Sequence, residues 1–138
     1  MRVTRLLLAV GSKGYGQGLP HKLSAEEGVE PVILMTPTSS DKRLAQLGAA
    51  SRGMVYAVAR KGVTGSKTSM DDDVISLISR CREHTNVPIG VGFGISSKAD
   101  MDFLRGSADL AIVGTAALKT WEESGADGLK KFFSELMG

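Results

Sequence analysis

The sequence predicts an α/β fold of parallel βα units, and three observations carry that prediction. Short apolar runs without strict alternation recur along the chain, each bounded by Gly, Pro or Ser, which is how strands buried on both faces read. Between them lie stretches with apolar residues at helical spacing. Strand, loop and helix then alternate with a repeat of about 30 residues and no internal linker, the pattern of a parallel sheet with crossover helices.

The elements follow in order. Thr4–Val10 is the first strand-like run, and the glycine-rich Gly11–Gly18 loop follows it. Only Leu23–Gly28 can be helical before the next strand, so this crossover is short for parallel pairing, and residues 1–27 are the atypical part of a single 1–138 domain. Pro31–Met35 is the second strand, followed by a helix over Asp41–Ala50 with Leu44 and Leu47 inward and Ser39 or Ser40 as cap. Thr38 also reads as a capping residue. Met54–Ala59 is the third strand. Val74, Leu77, Ile78 and Cys81 then recur at i, i+3, i+4 and i+7, after an Asp71-Asp72-Asp73 start that suits a positive helix N-terminus. Pro88–Gly92 is a strand, Ser97–Arg105 a short helix capped by Ser96 or Ser97, and Asp109–Val113 the last strand. Leu129, Phe132, Phe133, Leu136 and Met137 mark a C-terminal helix.

Composition excludes several classes. With 138 residues, 42% hydrophobic and 23% charged, the chain has ordinary globular composition and room for one domain, which sets aside disorder and collagen-like repeats. No apolar run approaches a membrane span, and the opening residues lack a signal-peptide pattern, so no membrane association is expected. A net charge of +2 and 5% aromatics argue against a nucleic-acid partner. The single cysteine excludes an intrachain disulfide and a Cys-based zinc site, and it fits a reducing, cytoplasmic location.

Glycine gathers where three successive strands end. Gly62-Val63-Thr64-Gly65, Gly90-Val91-Gly92-Phe93-Gly94-Ile95-Ser96 and Gly114-Thr115 each lead out of a strand, and the last two open a helix. Glycine lets backbone approach an anion, and bare amides at a helix start carry partial positive charge. Each loop alone reads as a turn; three on one sheet edge read as a phosphate cup, which in (β/α)-barrels forms after the last two strands. The Gly90-x-Gly92-x-Gly94 spacing departs from the dinucleotide fingerprint even though Asp109 follows at nearly the right distance. Gly11–Gly18 likewise lacks the order of a nucleotide-binding P-loop. His21 and His84 have no metal-ligand companions, and His84 reads as a solvated or dipole-paired residue at a helix end. The Asp71–Asp73 run reads as helix-start charge instead of a metal site, so no metal and no cofactor are expected. Cys81 falls on an apolar face and reads as buried and inert.

With those loops placed, the chain resembles a known family. Residues 54–65 (MVYAVARKGVTG), 88–96 (PIGVGFGIS) and 111–116 (AIVGTA) resemble the last three strand-loop units of the tryptophan synthase alpha chain, and Pro31–Thr38 resembles that family's fifth strand and Pro-Thr loop. The resemblance covers roughly residues 28–136, about the second half of a family member. It implies parallel units of the TIM-barrel type, roughly the C-terminal half of a (β/α)8 barrel. Family members cleave indole-3-glycerol phosphate to indole and glyceraldehyde 3-phosphate and pass indole to a PLP-dependent beta chain. Carried over by position, Gly65, Gly94, Gly114 and Thr115 match the phosphate-binding positions. Tyr56, Gly92 and Phe93 match the substrate pocket, and Thr64 the mobile loop that closes on substrate. The family commonly has serine where Thr115 stands, and threonine keeps the hydroxyl.

The resemblance also implies what these residues do not supply. Carbon–carbon cleavage here needs proton transfer at the indole ring and at a glycerol hydroxyl. The family's carboxylates for this come from its second strand and the loop after it. Glu26 and Glu27 do not take their place, and no catalytic residue is identified. The expectation is a chain that binds an indole-glycerol-phosphate-like ligand through its phosphate end and is inactive alone. A half barrel has open strand edges and apolar interior residues (Leu34, Tyr56, Val58 and Val91) facing water. It therefore pairs with itself or bends into an open doubly wound sheet. A tryptophan synthase beta chain is a further possible partner. The alternatives are a non-catalytic half-barrel assembly module, or another phosphate-binding barrel such as indole-glycerol-phosphate synthase or a thiamin-phosphate-synthase-like protein.

Overall fold

The computed structural model describes Glu26, Gly28, Glu30 and residues 32–59, 68–92 and 94–138. The Thr4–Val10 strand, the Gly11–Gly18 loop and His21 lie outside the described residues, as does all but a residue or two of the Leu23–Gly28 helix. Four strands, β1 (Ile33–Met35), β2 (Val55–Val58), β3 (Ile89–Gly92) and β4 (Leu110–Ala111), form one sheet in the order β1-β2-β3-β4. All three pairings are parallel. Helices α1 (Asp41–Ala50), α2 (Thr68–His84), α3 (Lys98–Leu104) and α4 (Thr115–Met137) alternate with them.

Strand order decides between the two sheet architectures expected. A doubly wound sheet reverses direction at a switch point and carries helices on both faces. Here the order is sequential, and one core joins Leu44 and Leu47 of α1, Val74, Leu77, Ile78 and Cys81 of α2 and Leu104 of α3 to Ile33, Met35, Val55, Ala57, Ile89 and Val91. Among the described residues the core helices thus share one sheet face, as in a (β/α)-barrel.

Alternation assigns the other face. Leu34, Tyr56, Gly90 and Leu110 share a register row, so they point away from the helices, as do Val58 and Gly92 one pleat further on. Leu34, Tyr56 and Val58 are half-buried there, as expected for barrel-interior residues. Val91 is a correction. It pairs with Ala57, points to the helices and is fully buried, because Gly90 and Gly92 occupy the interior positions of β3.

Local chemistry explains the helix ends. Ser40 caps α1, its Oγ accepting from the Arg43 amide at 3.3 Å. α3 starts with a reciprocal capping box between Ser97 and Asp100. α2 begins at Thr68, so Asp71–Asp73 fall past its first three residues. α4 breaks at Gly125, whose φ of 60° and ψ of −156° divide it into two helical pieces. In the second piece Leu136 is buried, whereas Phe133 and Met137, also expected on the inner stripe, are exposed.

Candidate functional site

Parallel strands end on a common edge, so the loops after β1–β4 line one rim. Gly94 and Gly114 each lie three residues beyond Val91 and Ala111, which pair with one another, so they occupy matching positions past neighbouring strands. Gly94 has φ 85°, a left-handed conformation that disfavours any side chain, and among the described residues nothing stands within 4 Å of where a Cβ would be. Gly114 is the N-cap of α4, also with open space in front of it. The first bond back into that helix runs from the Leu118 amide to the Gly114 carbonyl at 3.1 Å. Among the described residues no side chain caps the amides before it, and the exposed Thr115 adds a hydroxyl at the same point.

The start of α3 differs. The Asp100 Oδ2 atom accepts from the Ser96 amide at 2.9 Å, the Ser97 amide at 3.0 Å and the Ser97 hydroxyl at 2.9 Å. The Gly90–Ser96 loop therefore does not open onto bare helix amides. Of the helix starts after β3 and β4, that of α3 is capped by side chains and that of α4 is not, among the described residues.

Inside the rim, a Cβ on Gly92 would run into the Tyr56 ring and hydroxyl. Glycine at 92 is what lets the tyrosine of β2 lie across β3. Gly90 similarly leaves space taken by the side chains of Met54 and Ile112. The structure thus brings Tyr56 onto Gly92 and sets Gly94, Gly114 and Thr115 on the same rim. Gly65, Thr64 and Phe93 lie outside the described residues.

Other candidates have structural roles. Asp109 accepts from the Arg82 guanidinium and from the Ile89 amide at 2.8 Å. It sits at the opposite end of β4 from the rim, which leaves it no part in a dinucleotide site. Burial pushes the Cys81 thiol up to about 11, against the lowering effect of Arg80 and Arg82, so it is a poor nucleophile at neutral pH. Of the two sequence readings of His84, the solvated one is corrected, while its place in the last turn of α2 agrees with the dipole-paired one. Its Nε2 is enclosed without a hydrogen-bond partner among the described residues, and its carbonyl backs onto Gly48 of α1. The absent side chain of Gly48 draws the two helices together over it.

Sequence reasoning missed Arg80. From α2 it donates to the carbonyl oxygens of Pro37 (3.2 Å) and Ser39 (2.6 Å) and to Asp41 Oδ1 (2.8 Å), tying down the rim loop after β1. In that loop the Thr36 hydroxyl bonds those of Thr38 and Ser39 at 3.1 Å each, so the helix cap falls to Ser40. An arginine on a polar helix face gives no sequence signal of such reach. Among the described residues no group of three or more His, Cys, Asp or Glu could hold a metal ion, and no helix is long and apolar enough to cross a membrane.

A sequential parallel sheet with helices packed on one face, and a glycine-lined rim at its strand ends, defines a portion of a (β/α)-barrel. Comparison with known proteins narrows the class. The sequence profile of the family described as tryptophan synthase alpha chain matches residues 18–136, reaching upstream of residue 28. The chain belongs to the tryptophan synthase alpha chain family. It is 38% identical to the tryptophan synthase alpha chain of Desulforapulum autotrophicum over 115 residues, 83% of this chain and 46% of that protein. With that of Bordetella pertussis it shares 40% identity over 102 residues, 74% of this chain and 36% of the relative. Among solved structures, tryptophan synthase subunit alpha from Campylobacter jejuni superposes with a TM-score of 0.81 at 27% identity, covering 93% of this chain and 52% of that one. A mutant alpha-subunit from Pyrococcus furiosus gives 0.78 at 26% identity, covering 94% and 54%. The chain spans about half the length of the relatives it matches, and the other phosphate-binding barrels considered give way to this family.

Proposed function

We propose that this chain carries the phosphate-binding half of a tryptophan synthase alpha site and holds the phosphate end of an indole-3-glycerol-phosphate-like ligand. The observation that carries the reading is the start of α4 at Gly114 and Thr115 beside left-handed Gly94, uncapped and with open space in front of both glycines among the described residues. Amides at a helix start complement a dianion by charge and by hydrogen bonding. The family resemblance assigns a third backbone contact to Gly65, the indole-side wall to Tyr56, Gly92 and Phe93, and the loop that closes over the ligand to Thr64. The acid–base carboxylates that the family places in its second unit have no counterpart among these 138 residues. Binding without turnover is the expected behaviour of the chain by itself. The same reading includes a cytoplasmic location, a tryptophan synthase beta chain as partner, and self-association through the open sheet edges.

Titration with indole-3-glycerol phosphate, followed through the amide resonances of Gly94 and Gly114, tests the ligand. Saturable shifts at both glycines are expected. Gly94→Asp places a carboxylate on the rim in a strained conformation, and it should abolish the shifts and the binding. Equal binding by the Gly94→Asp chain, or indole release above that of this variant, would overturn the proposal.

A further inference from the structure

Arg80 directs all three of its guanidinium nitrogens at the join of β1 and α1. Nε and Nη2 donate to Asp41 Oδ1 at 3.0 and 2.8 Å, Nη1 donates to the Pro37 carbonyl at 3.2 Å, and Nη2 also reaches the Ser39 carbonyl at 2.6 Å. With 29% of its side chain exposed against 72% for Asp41, the arginine is far more enclosed than the charge it pairs with. An ion pair on the surface contributes little, so the two carbonyl bonds, which fix the path of the loop, are the specific part of this clasp. The Ser39 amide donates to the Thr36 carbonyl at 3.0 Å and closes the loop into a turn.

The turn presents a group of hydroxyls. Thr36 Oγ1 bonds those of Thr38 and Ser39. Two bonds among three hydroxyls use two of their three protons, which leaves one proton and several lone pairs for a partner outside the group. Thr36 follows Met35, which points to the helices, so alternation puts Thr36 on the interior side, level with Val58 and Gly92. Leu34 and Tyr56 lie one pleat deeper. At about 4.8 Å per strand, Thr36 stands roughly 10 Å across the sheet from β3 and the rim position of Gly94.

We propose that Arg80 is a positioning residue for the ligand site: by fixing the Pro37 and Ser39 carbonyls it sets the Thr36 hydroxyl where it accepts the ring N–H of the ligand's indole end. The inference rests on the phosphate-end reading above and extends it from the rim of β3 and β4 to that of β1. A phosphate joined through a glycerol chain to a bicyclic ring covers a span of that order, so one ligand reaches both places. Arginine suits the task because its planar fork meets several acceptors at fixed angles, which a lysine ammonium does not.

The test is a titration of the chain with indole-3-glycerol phosphate and, separately, with inorganic phosphate. It is followed through the amide resonances of Thr36, Thr38 and Ser39 together with those of Gly94 and Gly114. The organic ligand is expected to shift both groups with one dissociation constant, and inorganic phosphate to shift the two glycines alone. Arg80→Lys keeps the charge and loses the fork. It should weaken indole-3-glycerol phosphate about three- to tenfold, the size of one hydrogen bond, and silence the Thr36–Ser39 shifts, while phosphate binds as in the native chain. Thr36→Val keeps the shape of the side chain and removes the hydroxyl, so it should reproduce the selective loss with the clasp intact. A merely structural role would lower both ligands together. Equal losses for both ligands, native affinity in both variants, or Thr36–Ser39 resonances that stay still in the native chain while the glycines respond overturn the proposal. Glycines that respond to neither ligand overturn the phosphate-end reading, and this proposal with it.

Discussion

The two faces of this sheet are built from similar residues and live in opposite surroundings. Met35, Val55, Ala57, Ile89 and Val91 point to the helices and are fully buried. Leu34, Tyr56 and Val58, their neighbours in the same strands, are half-buried, and Leu110 is exposed. Alternation along a strand thus separates two duties. The helix face holds the fold together, whereas the interior face keeps contact with solvent among the described residues.

The largest expected effect sets one residue against its neighbour. Met35→Ala removes a fully enclosed side chain and should cost about 2–5 kcal/mol. Leu34→Ala removes one that already meets water and should cost under about 1 kcal/mol in dilute protein. Urea midpoints of the two variants measure the difference. Equal midpoints in dilute solution would show that the interior face is already packed within one chain.

A smaller effect probes the one tight contact on the open face. Gly92→Ala drives a Cβ into the Tyr56 ring and should destabilise the chain by about 1–3 kcal/mol. Combining it with Tyr56→Ala removes the obstruction, so the double variant should lose less than the two single losses added together. Additive losses in denaturant titrations would mean that the tyrosine already swings clear of β3.

What could be read ahead of the structure follows the same division. Helix-face positions were legible because burial writes a period into the sequence, as with Val74, Leu77, Ile78 and Cys81. The rim was legible through glycine motifs, since Gly94, with its positive φ, and Gly114 mark the turns that lead out of β3 and β4. Val91 was misassigned because a four-residue strand that is apolar throughout shows no alternation, and only its pairing with Ala57 reveals which way it points. Asp100 closing the start of α3, and Arg80 holding the loop after β1, depend on side-chain reach across the fold. No local pattern encodes that reach.

The smallest effect concerns the end of the sheet away from the rim. Asp109 binds the Arg82 guanidinium and the Ile89 amide, and those two contacts, the guanidinium first, hold its carboxyl below the usual aspartate value of 3.8. The Asp109 amide also donates to the Ile89 carbonyl at 3.1 Å, so this residue fastens β4 to β3 through both backbone and side chain. A carboxylate with a lowered folded-state pKa contributes stability that is present above its unfolded value and fades as pH falls through the folded one. At 45% exposure the contribution is modest, about 0.5–1 kcal/mol at pH 7. Asp109→Asn keeps an acceptor for Ile89 and removes the charge, so the native chain should be the more stable near pH 7, and the two should converge as pH falls through the lowered folded-state value. A gap that stayed constant across that range would show that the fastening depends on shape and hydrogen bonding alone. β4 would then be held at this end as the helix face is held, without help from charge.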